Sequence, residues 1–81
     1  MKKTIKAGKR NIVGTRVRQA RLKLSPAVSQ DDLAGRLAAQ GITLDRSAVT
    51  RIESQDRYVM DYEVKAIARA LKVTVAWLMG E

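Results

Sequence analysis

Apolar residues recur at helical spacing in successive segments of the chain, and no segment shows the alternation of a β-strand above noise. The first segment begins at Asn11, a residue type that often caps helices, and runs toward Leu24. Pro26 interrupts it, because proline disfavours a helical conformation in the residue before it. The apolar positions of this segment share one helical face and are Val13, Val17, Ala20 and Leu24. We therefore predict a first helix over this segment.

A second predicted helix has clear start and stop signals. Ser29 is a common N-cap residue, and Asp31 and Asp32 follow in the first turn, where the helix dipole favours acids. Gly41 stands where a residue in the left-handed conformation would end the helix. A helix this short is unstable alone, and the small Ala34 would let another helix cross closely. We therefore expect it to pack against the third helix as a helix-turn-helix.

The third predicted helix, from Arg46 to Ser54, has one polar and one apolar face, and Asp45 precedes it as N-cap. Its polar face combines Arg46, Ser47, Thr50, Arg51 and Ser54, and its apolar face combines Ala48, Val49 and Ile52. An ordinary amphipathic surface helix usually mixes acids with bases on its outer face. This polar face carries no acid, since Glu53 lies at its boundary with the apolar side.

Two further helices complete the pattern. Asp61 is predicted to cap the fourth helix and Thr74 the short fifth helix, whereas residues 55–60 have no periodicity and predict a loop. Trp77 is embedded among apolar residues, which favours a place in the core over a role in base stacking. We therefore expect an all-α fold in one domain over residues 11–81.

The composition excludes several classes of function. Cys and His are both absent, which rules out disulfides, thiolate or imidazole metal sites, and Ser-His or Cys-His catalytic arrangements. The five glycines form no phosphate-binding motif, and the eight acids form no tight cluster. We therefore expect no enzymatic activity, no cofactor and no metal.

The longest uncharged stretches, 37–44 and 73–80, are eight residues each, far below the roughly 20 that span a bilayer. The residues after Lys2 and Lys3 also lack the apolar region of a signal peptide. We therefore expect no membrane segment and a cytoplasmic location.

Positive charge is concentrated at the beginning of the chain. The net charge is +8, and residues 1–30 carry nine cations and no acid. Such a one-sided cationic surface attracts a polyanion, so nucleic acid is the leading partner, although a solubilising tail or an anionic-membrane patch is an alternative. Residues 1–10 are nearly free of apolar side chains and are interpreted as a flexible basic arm, in which Lys9 and Arg10 are candidates for contact with the DNA backbone.

Five blocks of the sequence together resemble the Xre family, the Cro and lambda-repressor class of small DNA-binding proteins. They are GTRVRQAR (14–21), SQDDLAGRL (29–37), SAVTRIES (47–54), DYEVKAIARAL (61–71) and VTVAWLMGE (73–81). The resemblance implies a compact five-helix, lambda-repressor-like helix-turn-helix domain. It also implies that the third helix enters the major groove, and that a homodimer binds a palindromic double-stranded DNA operator.

The resemblance also assigns roles to individual residues. The implied base-reading positions are Arg46, Ser47 and Arg51, with Thr50 on the same face. The implied contacts to the DNA backbone are Gln30, Ser54, Arg57 and Tyr58. Arg21 and Glu53 occupy positions at which the family often has a buried ion pair, and both lie at the edge of an apolar stripe.

The sequence departs from the family pattern in three places. The turn from Ala39 to Leu44 is longer than usual, Gln55 stands where glycine often follows the third helix, and the loop after the first helix contains Pro26.

We therefore expect a sequence-specific transcriptional regulator, acting as a repressor, in the cytoplasm and associated with the nucleoid. One alternative is the antitoxin of a toxin pair, which would bind its protein partner through Val75 and Met79. RNA binding is disfavoured because exposed aromatic residues are few. Lipid binding is the weakest alternative, because no helix joins a cationic face to exposed bulky apolar residues.

Overall fold

The computed structural model describes residues 8–81, which form five α-helices and no strand. The helices are α1 (Gly14–Lys23), α2 (Gln30–Ala38), α3 (Arg46–Glu53), α4 (Asp61–Ala70) and α5 (Val75–Leu78). This confirms the all-α, five-helix architecture predicted from the sequence. The predicted basic arm at residues 1–10 lies largely outside the described residues, which include only its last three positions.

Three helices begin at the side-chain caps that the sequence predicts. Asp45 and Thr74 each accept a hydrogen bond from the backbone amide three residues later, at 2.8 and 3.0 Å. At the start of α2, the Ser29 hydroxyl accepts from the Asp32 amide at 3.0 Å, and the Asp32 carboxylate accepts from the Ser29 amide at 3.3 Å. These bonds satisfy backbone amides that have no partner within the first turn of a helix.

The start of α1 differs from the prediction. The helix begins at Gly14, three residues beyond Asn11, and the Asn11 side chain is buried beside it. Its Oδ1 accepts from the amides of Val13 and Gly14, at 3.1 and 2.8 Å. Its Nδ2 donates to the carbonyls of Ile52 and Arg57, at 3.1 and 2.8 Å. Asn11 therefore joins the start of α1 to the end of α3.

The start of α4 also differs from the prediction, by one residue. Met60 is the N-cap and Asp61 is the first helical residue. The Glu63 carboxylate, in the first turn, accepts a hydrogen bond from the Met60 amide at 2.9 Å.

Four helices are followed, two or three residues beyond their ends, by a residue with a positive φ angle. These residues are Gly41 (79°), Gln55 (64°), Lys72 (59°) and Gly80 (89°). After α3, the Asp56 amide donates to the Arg51 carbonyl and the Gln55 amide donates to the Ile52 carbonyl, which is the Schellman pattern. Gln55 thus adopts the conformation usually taken by glycine, and its side chain donates to the Asn11 carbonyl at 2.9 Å.

The core is almost entirely aliphatic. Its least exposed large side chains include Leu33, Leu37, Ile52, Ile67, Leu71 and Leu78. Helix α3 packs against α1 and α2, and α4 packs against α2 and α5. Trp77 is half-buried at the edge of this core, with the Arg16 guanidinium carbon 4.7 Å from its ring centroid.

Helix α1 approaches α3 very closely at Gly14. A Cβ atom at this position would overlap the Ile52 carbonyl oxygen and lie 3.0 Å from the Glu53 carbonyl oxygen. Only glycine therefore fits between these two helices without a backbone shift. The side chains of Arg21 and Glu53 join the same two helices.

Candidate nucleic-acid interface

The polar face of α3 is directed to solvent, as its helical periodicity predicts. The four predicted base-reading residues, Arg46, Ser47, Thr50 and Arg51, are all exposed, and so is Ser54 at the end of the helix. The opposite face is buried in the core through Val49 and Ile52. The exposed face therefore combines two guanidinium groups with three hydroxyl groups and has no carboxylate of its own.

A buried ion pair joins α3 to α1. Arg21 donates from Nε and Nη2 to the two Glu53 carboxylate oxygens, at 2.8 and 2.9 Å, and from Nη1 to the Val28 carbonyl at 2.9 Å. The side chains of the pair are only 9% and 5% exposed. The hydrogen bonds to Glu53 raise the pKa of Arg21 above its ordinary value, although burial alone would lower it. This bidentate geometry fixes the direction of α3 relative to α1.

Gln30 connects this ion pair to the exposed face of α3. Its Nε2 donates to Glu53 Oε1 at 3.2 Å, and its Oε1 accepts from the Thr50 hydroxyl at 2.8 Å. The same hydroxyl lies 3.0 Å from the Arg46 carbonyl oxygen. Gln30 is the first residue of α2. Its side chain therefore braces α3 against the start of α2.

Arg57 is held by a second ion pair, which the sequence did not indicate. Its guanidinium donates to the two Glu63 carboxylate oxygens, at 3.0 and 3.3 Å, and to the Tyr58 carbonyl at 2.9 Å. Burial alone would raise the pKa of Glu63, but hydrogen bonds from Arg57 and from the Met60 amide, together with the Arg57 charge, lower that pKa below its ordinary value. This pair fixes the loop between α3 and α4.

Arg10 lies against the same loop. Its amide donates to the Gln55 carbonyl at 2.9 Å, its guanidinium pairs with Asp56 at 2.9 Å, and the guanidinium carbon is 5.8 Å from the Tyr58 ring centroid. With Arg51 and Arg57, these side chains line one open cleft at the end of α3. The structure thus brings together three predicted backbone-contact residues, Arg10, Arg57 and Tyr58, whereas Gln30 lies near Arg46 in a separate cleft.

Two acids lie near the cationic side chains. Asp31 is 3.8 Å from Arg46, with both side chains more than two-thirds exposed, so the interaction is weak. Asp56 pairs with Arg10 across a cleft that is also exposed.

The sequence pattern did not single out Glu63, and it suggested for Asn11 only a capping role and not the bonds to the Ile52 and Arg57 carbonyls. Glu63 could have been found from its place three residues after the Met60 cap, where an acid can reach back to the cap amide. Within residues 8–81 no three acids, histidines or cysteines are grouped to hold a metal ion. No helix in this part of the chain has the length and apolar character to cross a membrane.

No protein-family model and no curated protein matches the chain. A solved structure that is similar to it is the crystal structure of the restriction-modification controller protein C.AhdI from Aeromonas hydrophila. The two chains superpose with a TM-score of 0.68 and 30% sequence identity, over 82% of this chain and 86% of the other.

Proposed function

Because this chain belongs to the family of the restriction-modification controller proteins, which are helix-turn-helix DNA-binding transcriptional regulators, we propose that it is a sequence-specific repressor that binds double-stranded DNA. One observation carries this proposal: the exposed, acid-free face of α3, held in place by the buried Arg21–Glu53 pair. We further propose that the chain is a member of the Xre family, which its five sequence blocks resemble. The proposal includes no catalytic activity and no cofactor.

In this proposal, α3 enters the major groove and presents Arg46, Ser47, Thr50 and Arg51 to base edges. An arginine guanidinium can donate two parallel hydrogen bonds to O6 and N7 of guanine, and a good pair of this kind contributes roughly 1–3 kcal/mol of discrimination. Both arginines are exposed, and the 3.8 Å approach of Asp31 to Arg46 is weak enough to be replaced by a base.

Contacts to the DNA backbone would flank α3 at both ends. Gln30 lies at one end, and Arg10, Ser54 and Tyr58 lie at the other, where the open cleft provides room for a phosphate. Lys9 precedes this cleft and is exposed. Arg57 would contribute mainly through its position, because Glu63 offsets part of its charge.

We also propose that the chain binds a palindromic operator as a homodimer, as its resemblance to the Cro and lambda-repressor class implies. A domain bound to an operator excludes other proteins from the same DNA, and repression by this exclusion is the mode of regulation that we propose. Binding to DNA would place the protein in the cytoplasm, on the nucleoid.

Selection of duplexes from a random pool at moderate salt tests this proposal. The wild-type chain should enrich one sequence motif, and Arg46→Ala or Arg51→Ala should relax the base preference at separate positions of that motif. Arg69→Ala is the matched control, because it removes the same charge from an exposed position on α4. Failure of the wild type to enrich any motif would refute sequence-specific binding.

An exposed apolar surface on α5 supports a second candidate, the antitoxin of a toxin pair. Val75 and Met79 are 43% and 36% exposed, and neither is needed for DNA contact in the first proposal. A protein partner that co-purifies with the wild type but not with Val75→Ser/Met79→Ser would favour this candidate. The same double variant should retain DNA binding.

A further inference from the structure

The hydrogen bonds that link α1 to the exposed face of α3 have a fixed direction. The guanidinium of Arg21 can only donate, and the ionised carboxylate of Glu53 can only accept. Gln30 must therefore present its Nε2 amide to Glu53, which leaves its Oε1 oxygen facing Thr50. The orientation of the Gln30 side-chain amide is thus set by the buried Arg21–Glu53 ion pair.

The direction of these hydrogen bonds determines whether the Thr50 hydroxyl can donate to a ligand or only accept from it. Its hydroxyl lies 2.8 Å from Gln30 Oε1 and 3.0 Å from the Arg46 carbonyl oxygen, and both neighbours are acceptors. A hydroxyl has one hydrogen and two lone pairs. The hydrogen is therefore used within the protein, whereas the lone pairs remain available on an exposed side chain.

We propose that Thr50 is a specificity-determining residue that acts only as a hydrogen-bond acceptor, and so contacts an amino group of a base. This inference rests on the proposed function, since it requires α3 to lie in the major groove. The amino groups exposed there are N6 of adenine and N4 of cytosine, whereas O6 of guanine and O4 of thymine are acceptors that Thr50 cannot serve. A free threonine hydroxyl could serve either kind of group.

Thr50→Val tests the inference, because it removes the hydroxyl and retains a β-branched side chain of similar shape. Duplex selection with the wild type and this variant identifies the base pair at which Thr50→Val loses discrimination. Ser47→Ala is the matched control, since it removes a hydroxyl from the same face of α3 that makes no hydrogen bond to Gln30. Its loss should fall at a different base pair.

Base analogues then identify the atom that Thr50 contacts. In one duplex the amino group of that base pair is deleted, with purine replacing adenine or 2-pyrimidinone replacing cytosine. In the second duplex the acceptor oxygen of the same pair is deleted. Wild-type affinity should fall about tenfold in the first duplex only, within the range for loss of one base contact. Thr50→Val should bind the unmodified and amino-deleted duplexes equally well.

Gln30→Met tests whether Gln30 is the residue that limits the Thr50 hydroxyl to accepting hydrogen bonds. This variant leaves the Thr50 hydroxyl with the Arg46 carbonyl alone, so that it can also rotate to donate. Discrimination between the amino-deleted and oxygen-deleted duplexes should decrease, even where overall affinity also falls. Unchanged discrimination would refute the role of Gln30.

The outcomes separate the two proposals. A wild-type chain that selects no sequence refutes the proposed function. Two results would refute the Thr50 inference alone. In the first, the wild type selects a motif and Thr50→Val selects the same motif unchanged. In the second, wild-type binding is sensitive to the deleted oxygen and not to the deleted amino group.

Discussion

Removal of the Glu53 carboxylate should strongly destabilise the domain. In Glu53→Ala, Arg21 would retain its charge at a site where its side chain is 9% exposed, with the Val28 carbonyl as its remaining partner. Breaking a buried pair in this way costs about 3–5 kcal/mol. Small domains are stable by only about 5–15 kcal/mol, so this one substitution would remove a large share of the free energy of unfolding.

Thermal and urea denaturation, followed by circular dichroism, measure this effect. A domain of this size loses roughly 4–8 °C of melting temperature per kcal/mol, so Glu53→Ala should melt roughly 12–40 °C below the wild type. Asp31→Ala is the control, because it breaks the exposed 3.8 Å contact with Arg46 and should cost less than about 1 kcal/mol. Equal melting temperatures for the two variants would refute the argument from burial.

A double substitution separates the cost of an unpaired charge from the value of the pair itself. Arg21→Met/Glu53→Leu replaces both charges with apolar side chains and leaves no buried ion. Such replacements are often neutral or stabilising, so the double variant should recover most of the stability that Glu53→Ala loses. A double variant as unstable as Glu53→Ala would show that the loss comes from packing rather than from the unpaired guanidinium.

Three further predictions concern packing, pH and salt. Gly14→Ala should lower the free energy of unfolding by about 1–3 kcal/mol, because its Cβ would overlap the Ile52 carbonyl. Gly35→Ala is the control and should be neutral or slightly stabilising, because its Cβ would meet no atom within 4 Å. Urea denaturation compares the two variants. Since folding lowers the pKa of Glu63, its ionisation stabilises the protein at pH values above the unfolded-state pKa, and this contribution is lost as the pH falls through the lower folded-state value. The difference in unfolding free energy between the wild type and Glu63→Gln should therefore be constant above about pH 5 and decrease below about pH 4; a constant difference down to pH 2 would contradict the lowered pKa. If about six phosphates are neutralised, log K for DNA binding should fall against log salt with a slope of about −5, and a slope near zero would exclude phosphate contact as a main source of affinity.

Local signals predicted most of the helical architecture. The caps Ser29, Asp45 and Thr74 accept hydrogen bonds from amides three residues away, and Gly41 ends α2 by adopting a positive φ angle. Both kinds of signal can be recognised from neighbouring residues in the sequence. The outer face of α3 follows from helical periodicity alone, because its spacing separates polar from apolar positions.

Long-range contacts account for what the sequence did not reveal. Asn11 has the residue type of a helix cap, but α1 begins three residues later because this side chain also bonds to carbonyls more than 40 positions away. The inward orientation of Arg57 likewise depends on the path of the loop that brings Glu63 beneath it. The left-handed conformation of Gln55 is supported by its side-chain bond to Asn11, which a rule based on glycine cannot detect.

The four hydrogen bonds of the Asn11 side chain have a consequence for recognition. These bonds join the end of α3 to the start of α1, and Gln30, at the start of α2, accepts a hydrogen bond from Thr50 of α3. The backbone of α3 is therefore held in place before any duplex binds, and if this helix enters the major groove as we propose, little backbone conformational entropy remains to be lost on association. Docking should then be close to rigid-body, and any bending required for a fit must come from the DNA, so that flexible base steps outside the contacted pairs contribute to the choice of operator.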